Sequence, residues 1–376
     1  MPSGRDWVRL AKETFRAVDR RDIVDLYRVQ WREAAAALIG DESASIAAAR
    51  GRIRRFIRKA NAVLYGLTQR LAPTRRVLFI LGLWVLLQGS CVFVDNDRTT
   101  ITLDLHWIGL LLFTFLLGME LIDKIRFRSE LEMARDLQAD LLPRTLPSVG
   151  GFDFGAHHEV ANTVGGDLYD VEIVPSGDVA VLFGDASGHG MAAGLVMAVT
   201  DAAFRAQLSV DPSPPAVMET VNRLLCRSGA FRKSGPRQFF AGIALLLGAD
   251  GAFRAVVAGH PPALHLSPGG DVLGRVGTGS YPAGVREVTS WKEERGTLNP
   301  GETLLFYTDG LYENRDPAGL EFGEERILAI ARQKAGASSE ALVSELAREA
   351  SVFLDRRPLE DDVSILAIRR SPAPVS

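Results

Sequence analysis

The sequence predicts an α+β chain in two parts. About three-fifths of it, towards the C-terminus, reads as a layered sandwich of strands and helices. Ahead of that lies a helical N-terminal region with a two-helix transmembrane hairpin. Three observations lead there. Strand-like runs begin at Phe152 and come in pairs separated by pairs of helical stretches, which favours stacked layers over the alternation of a doubly wound sheet. Two long apolar runs interrupt the first third of the chain. The charge flanking those runs is lopsided.

The elements follow in order. Residues 1–72 form a helical region: Trp7, Leu10, Ala11 and Phe15 recur at helical spacing, and Ile53, Phe56, Ile57, Ala60 and Leu64 repeat it beside a run of arginines. Residues 73–122 hold the hairpin. Val77–Val94 carries no charged side chain, and a second run is cleanest from Leu105 to Met119, giving expected spans at about 77–94 and 103–120. Arg50 to Arg76 supply cations without an acidic residue, Lys124, Arg126 and Arg128 follow the second run, and Asp95, Asp97 and Asp104 lie in the turn between. Positive flanks stay inside, so the expectation is a two-pass protein of the cell membrane with N-terminus and C-terminal domain cytoplasmic, touching membrane lipid.

Residues 123–147 are expected to be a helical linker. Phe127, Leu131, Ala134, Gln138 and Leu141 follow a 4-3-4-3 spacing, the seam of a short two-stranded coil with Gln138 setting register and a homodimer formed through the 123–142 helix. Pro143 and Pro147 stop it, and the C-terminal domain is assigned to 148–371. There, FDFGAHHEV, DLYDVEIV, DVAVLFGD, QFFAGIALLLG, AFRAVVAG, ETLLFYTD and DVSILAIR read as strands. Helical stretches fall at about 191–209, 214–227, 323–335 and 338–355.

Composition narrows the function. A formal net charge of −3 gives no global pull towards nucleic acid, which is not an expected partner. Two cysteines cannot make a disulfide framework or a CxxC zinc pattern, and the six histidines never form HExxH. Four acidic clusters instead stand at strand ends beside small residues: VGGDLYD (Asp167, Asp170), GDASGHG (Asp185), TDGLYE (Asp309, Glu313) and EDD (Glu360, Asp361, Asp362). Crowded carboxylates repel one another unless a cation sits between them, and an all-oxygen donor set suits Mg²⁺ or Mn²⁺ rather than zinc.

The ordered blocks LQADLLPRTLP, VGGDLYD, GDASGHGMAA, AGHPPALHL, TDGLYENRDPAGLEFGEERI and DDVSILAIR, spanning about 137–370, resemble the SpoIIE/RsbU-type branch of the metal-dependent (PPM) serine/threonine protein phosphatases. The resemblance implies an αββα sandwich with two Mn²⁺ or Mg²⁺ ions per site. It places Asp185 as the bridging carboxylate, the carbonyl of Ala186 beside it, and Asp167, Asp309 and Asp361 as the remaining ligands and catalytic carboxylates. Asp170, His189, Glu313 and Asp362 are implied as accessory or supporting residues. It further implies a phosphorylated regulatory protein of the STAS-type anti-anti-sigma class as substrate, hydrolysed by a metal-activated water. A membrane signalling scaffold that binds phosphoprotein with little or no turnover is the alternative. Ala186, Ser364 and Val160 replace the family's usual valine, threonine and proline, and none of these changes removes an acidic residue. No basic residue for the substrate phosphate stands out; Arg205, Arg232, Lys233 and Arg237 are open candidates.

Overall fold

The computed structural model describes residues 52–95, 99–143, 145–161, 163–188, 190–230, 238–355 and 357–371. The expected helix around Trp7–Phe15 lies outside them, as do His189, Arg232, Lys233 and Arg237. The chain divides into two compact units, one ending at Arg126 and the other beginning at Phe127.

In the first unit, α1 (Arg52–Arg70) and α2 (Pro73–Gln88) precede an antiparallel hairpin of β1 (Ser90–Asp95) and β2 (Thr99–Asp104), followed by α3 (His106–Ala139). Proline opens α2, where its missing N–H costs nothing. Gly89 closes it with a positive φ of 69°, a conformation glycine adopts without strain. The first expected span therefore ends early. The β-branched and aromatic residues after Gly89 pair as a strand, from Ser90↔Asp104 to Asp95↔Thr99, instead of continuing the helix. α2 and α3 run close together: a Cβ on Gly109 would stand 3.3 Å from the Gly82 carbonyl oxygen, and Phe79 meets Phe113 edge to face. Arg75 pairs with Glu120 and Asp123 across the same interface. Among the described residues no helix is long and apolar enough to cross a membrane, so the expected transmembrane spans at 77–94 and 103–120 are corrected to two helices joined by a strand hairpin.

α3 continues unbroken through Glu120 into the charged stretch that was expected to form a separate linker. Its last turns belong to the second unit, and there Gln138 is buried rather than presented on a seam. Its Nε2 donates to the Gly165 carbonyl at 2.6 Å and its Oε1 accepts from the Gly165 N–H at 3.0 Å. Gln138 is thus engaged within the second unit itself, whereas Phe127 at the start of the same periodic row is exposed.

The second unit contains two five-stranded antiparallel sheets. The first has the order β10-β7-β6-β5-β4, from β4 (Asp167–Ile173), β5 (Val179–Ala186), β6 (Phe240–Leu247), β7 (Ala252–Ala258) and β10 (Glu294–Thr297). The second has the order β3-β12-β11-β8-β9, from β3 (Phe152–Glu159), β8 (Ala263–Leu266), β9 (Val272–Val276), β11 (Thr303–Tyr307) and β12 (Val363–Arg370). Strand alternation sends Phe183, Ile243, Leu245, Phe306 and Leu366 into the core between the sheets. On the outer face of the first sheet pack α4 (Met191–Leu208) and α5 (Pro214–Ala230), burying Met197, Phe204, Met218 and Val221. On the outer face of the second pack α7 (Gly323–Gln333) and α8 (Ser339–Phe353), through Ile327, Leu342 and Leu346. A one-turn helix α6 (Asp309–Tyr312) follows β11. The layers are helix, sheet, sheet, helix, as expected.

Candidate active site

The acidic clusters meet because antiparallel pairing brings the start of one strand beside the end of its neighbour. In the first sheet Asp167 opens β4 and lies directly opposite Asp185, near the end of β5. Gly166 makes that closeness feasible: a Cβ there would stand 2.7 Å from both the Asp185 Oδ1 and the Ala186 carbonyl oxygen. The Ala186 N–H in turn donates to the Gly166 carbonyl at 3.1 Å. In the second sheet Tyr307 pairs with Ile365, so Asp309 just beyond β11 and Asp361 just before β12 occupy the same end. Gly310 is required here too, because a Cβ would fall 1.9 Å from the Asp362 carbonyl oxygen.

Two hydrogen-bonded links join the sheets at this end. Thr308, fully buried, donates its hydroxyl to Asp167 Oδ2 at 2.8 Å and accepts from the Ser364 N–H at 2.9 Å. Asp362 accepts from the Gly166 N–H at 2.6 Å and the Ala161 N–H at 2.8 Å. It therefore fastens the loop before β4. Thr308 was not expected; nothing in its spacing separates it from an ordinary residue before an Asp-Gly turn.

The electrostatics are those of mutually repelling carboxylates. Burial, and then Asp309, Asp361 and Asp362, push the Asp185 carboxyl up to about 8. Burial, then Asp185, holds Asp167 well above the usual carboxylate range despite the Thr308 hydroxyl. Burial also raises Asp361, with Asp309, Asp362 and Glu313 adding to it. None of the neighbours that shift these three is a cation. An open cleft of about 300 Å³ is walled by Asp309, Gly310, Glu313, Asn314, Arg315, Glu360 and Asp361.

The residues fit a hard divalent ion in chemistry: every donor is oxygen, and glycine cradles bring the Ala186 carbonyl and the Asp185 carboxylate together. Among the described residues no three such side chains close around a single point as they stand. A metal that keeps several waters does not demand that closure.

Asp170 is not part of this constellation. It lies three residues after Asp167, and alternation turns it to the α4 face, where Arg205 pairs with it at 3.0 Å and also with Glu172 at 2.8 Å and Asp201 at 3.3 Å. Arg205 is thus engaged by three carboxylates on the α4 face. His157 and His158 point apart as expected, His157 towards Glu159 and His158 Nδ1 to the Ser364 hydroxyl at 2.8 Å. His260 is buried with Nδ1 on the Pro261 carbonyl, and burial pushes it down to about 4. Cys226 sits on α5, away from the carboxylates.

A two-sheet sandwich with carboxylates gathered at one end of both sheets is the architecture of the PP2C-like phosphatase fold. The model of the Stage II sporulation protein E (SpoIIE) family matches residues 175–371, more than half of the chain. The chain belongs to that family, within the SpoIIE/RsbU-type branch of the PPM serine/threonine phosphatases. It is 24% identical over 283 residues to Protein IcfG of Synechocystis sp., covering 68% of this chain and 44% of that protein. It is 27% identical over 194 residues to phosphoserine phosphatase RsbP of Bacillus subtilis, covering 50% and 47%. The chain thus spans less than half the length of these two relatives. The SiaA-PP2C domain of Pseudomonas aeruginosa superposes with a TM-score of 0.57 at 20% identity, covering 66% of this chain and 98% of that one, which shows the shared fold.

Proposed function

We propose that this chain is a membrane-attached, metal-dependent protein serine/threonine phosphatase acting on a phosphorylated regulatory protein. One observation carries the reading: antiparallel register sets Asp167 opposite Asp185 in one sheet and Asp309 beside Asp361 at one end of the other, a crowding of carboxylates that a pair of divalent cations would relieve. Asp185 with the Ala186 carbonyl, and Asp167, Asp309 and Asp361, would hold two Mn²⁺ or Mg²⁺ ions, with Glu313 on the cleft wall as an accessory ligand. When bound, such ions supply Lewis acidity that makes a water nucleophilic near neutral pH and offsets charge on the phosphoryl oxygens. The chain's own part is positional. The Thr308 hydroxyl fixes one oxygen of Asp167, Asp362 holds the Gly165–Gly166 loop in register, and Gly310 lets Asp309 approach the β12 end. Among the described residues Cys226 lies on α5 and not on the cleft wall, and hydrolysis by a metal-activated water needs no covalent phospho-enzyme.

A STAS-type substrate is supported by family membership and by the likeness to a protein named a phosphoserine phosphatase. Attachment to the cell membrane, with the catalytic unit on the cytoplasmic side, is supported by the arginine-rich approach to α2 and by exposed Leu87, Trp107, Leu111 and Leu117. Exposed Phe127, Met133 and Leu137 on α3 support pairing with a second copy of the chain. The test is phosphate release by the full-length protein from a phosphoserine-bearing STAS protein and from a small phosphate ester, with Mn²⁺ or with chelator. Metal-dependent turnover of the phosphoprotein supports the reading. Turnover of the ester alone would move it to a small-molecule phosphoesterase, and metal binding with turnover of neither would make it a binding scaffold.

A further inference from the structure

The acidic cleft has one basic residue on its wall among those described, Arg315, and the mechanism so far gives it nothing to do. A phosphomonoester arrives with up to two negative charges, and Asp309, Glu313, Glu360 and Asp361 would repel it wherever an ion does not intervene. Arg315 stands on a fixed backbone. Its loop closes on itself through Asp316 N–H to Leu320 O at 3.0 Å and Phe322 N–H to Asn314 O at 2.7 Å, and Phe322 is buried beneath. The guanidinium is half exposed and pairs with Glu321 at 2.8 Å, an ion pair exposed at both ends. Exposed pairs of this kind contribute little and yield readily to a better partner. Beside it, Asn314 is almost wholly buried, lines the same cleft, and has a side-chain Nδ2 with no acceptor. An orphaned buried donor next to a weakly held guanidinium is what an anion would satisfy.

We propose that Arg315, with the Asn314 side-chain amide behind it, recognises the phosphoryl group of the substrate, exchanging Glu321 for phosphate oxygens when substrate binds. The inference rests on the phosphatase reading for its substrate class, but its test does not depend on turnover.

Inorganic phosphate is the probe, titrated by calorimetry into the full-length protein in saturating Mg²⁺. Wild type is compared with Arg315→Ala, Arg315→Lys and Glu321→Gln, with Mg²⁺ affinity and thermal midpoint measured on each. Arg315→Ala is expected to weaken phosphate binding about ten- to a hundredfold, the scale of a lost charge-assisted hydrogen bond. Arg315→Lys should recover part of that, since a point charge replaces a fork. Glu321→Gln should bind phosphate as tightly as wild type or tighter, because it releases the guanidinium. Mg²⁺ affinity should stay within about twofold throughout, against the tenfold or larger phosphate effect. Unchanged phosphate affinity in Arg315→Ala, or no phosphate binding by wild type, would overturn the proposal. So would an equal loss in Glu321→Gln, because the pair would then merely hold the loop. If phosphate binds as expected but wild type releases none from any phosphoprotein or ester, the phosphatase reading fails and the binding element stands.

Discussion

Asp185 is where burial and charge meet most sharply, and its behaviour can be predicted without knowing the substrate. In the unfolded chain its carboxyl loses its proton near the ordinary aspartate value of 3.8, whereas in the metal-free fold it keeps it to about 8. Between those values the folded state binds more protons than the unfolded one, so stability falls as pH rises through that window. The metal-free protein should therefore melt at progressively lower temperature from pH 5 to pH 8, followed by thermal denaturation. Asp185→Asn, a neutral side chain of the same shape, should flatten that fall while lowering phosphate release by more than about a hundredfold, beyond the loss usual for supporting residues. Thr308→Val should be milder. It strips the hydroxyl from Asp167 and leaves the Ser364 N–H unpaired, so divalent-ion affinity measured by calorimetry should drop about ten- to a hundredfold. An unchanged affinity would mean that Thr308 only ties the sheets together.

At the scale of elements, the site is a consequence of antiparallel register, with glycine allowing the ends to touch. Gln138 is the outlying member of that arrangement: one side chain on α3 holds both polar groups of Gly165, two residues before Asp167. Gln138→Leu should speed hydrogen exchange at the Gly165 amide, and at Gly166 beside it, by at least about tenfold, because the Gly165 N–H and carbonyl are both left without partners. Protection equal to wild type would show that the loop is held by Asp362 alone. Much of this layer was legible beforehand. Each long strand alternates into a core that exists, and the four helices of the sandwich fall within a few residues of their expected places. What escaped was short or ambiguous. β8, β9 and β10 are four or five residues long; histidine interrupts the first, glycine and arginine the second, and the third has no large apolar residue, so no period stands out. The stretch after Gly89 is apolar enough to continue a helix, and only strand pairing with Thr99–Asp104 decides otherwise. A helix face docked within its own chain and a dimer seam share one periodicity, so spacing alone does not reveal the bonds Gln138 makes to Gly165. Asp170 was readable in principle, since an odd separation from Asp167 puts the two on opposite faces.

For the whole molecule, the first unit exposes large apolar side chains along α2 and α3, among them Trp84, Leu87, Trp107, Leu111 and Leu117. Exposed apolar side chains in such number fit the proposed attachment to a lipid surface. The full-length protein should float with vesicles containing anionic lipid, and Leu111→Glu with Leu117→Glu should shift most of it to the unbound fraction. Flotation of the doubly substituted chain at the wild-type level would place attachment elsewhere. The carboxylate constellation itself is tested most directly by titrating Mn²⁺ into wild type and Asp185→Asn by calorimetry, with phosphate release from a phosphoserine protein read on the same samples. Two ions bound per wild-type chain, with binding and turnover lost together in the variant, is the predicted result. Turnover that survives Asp185→Asn, or that proceeds in chelator, would contradict a metal centre built on these four strand ends.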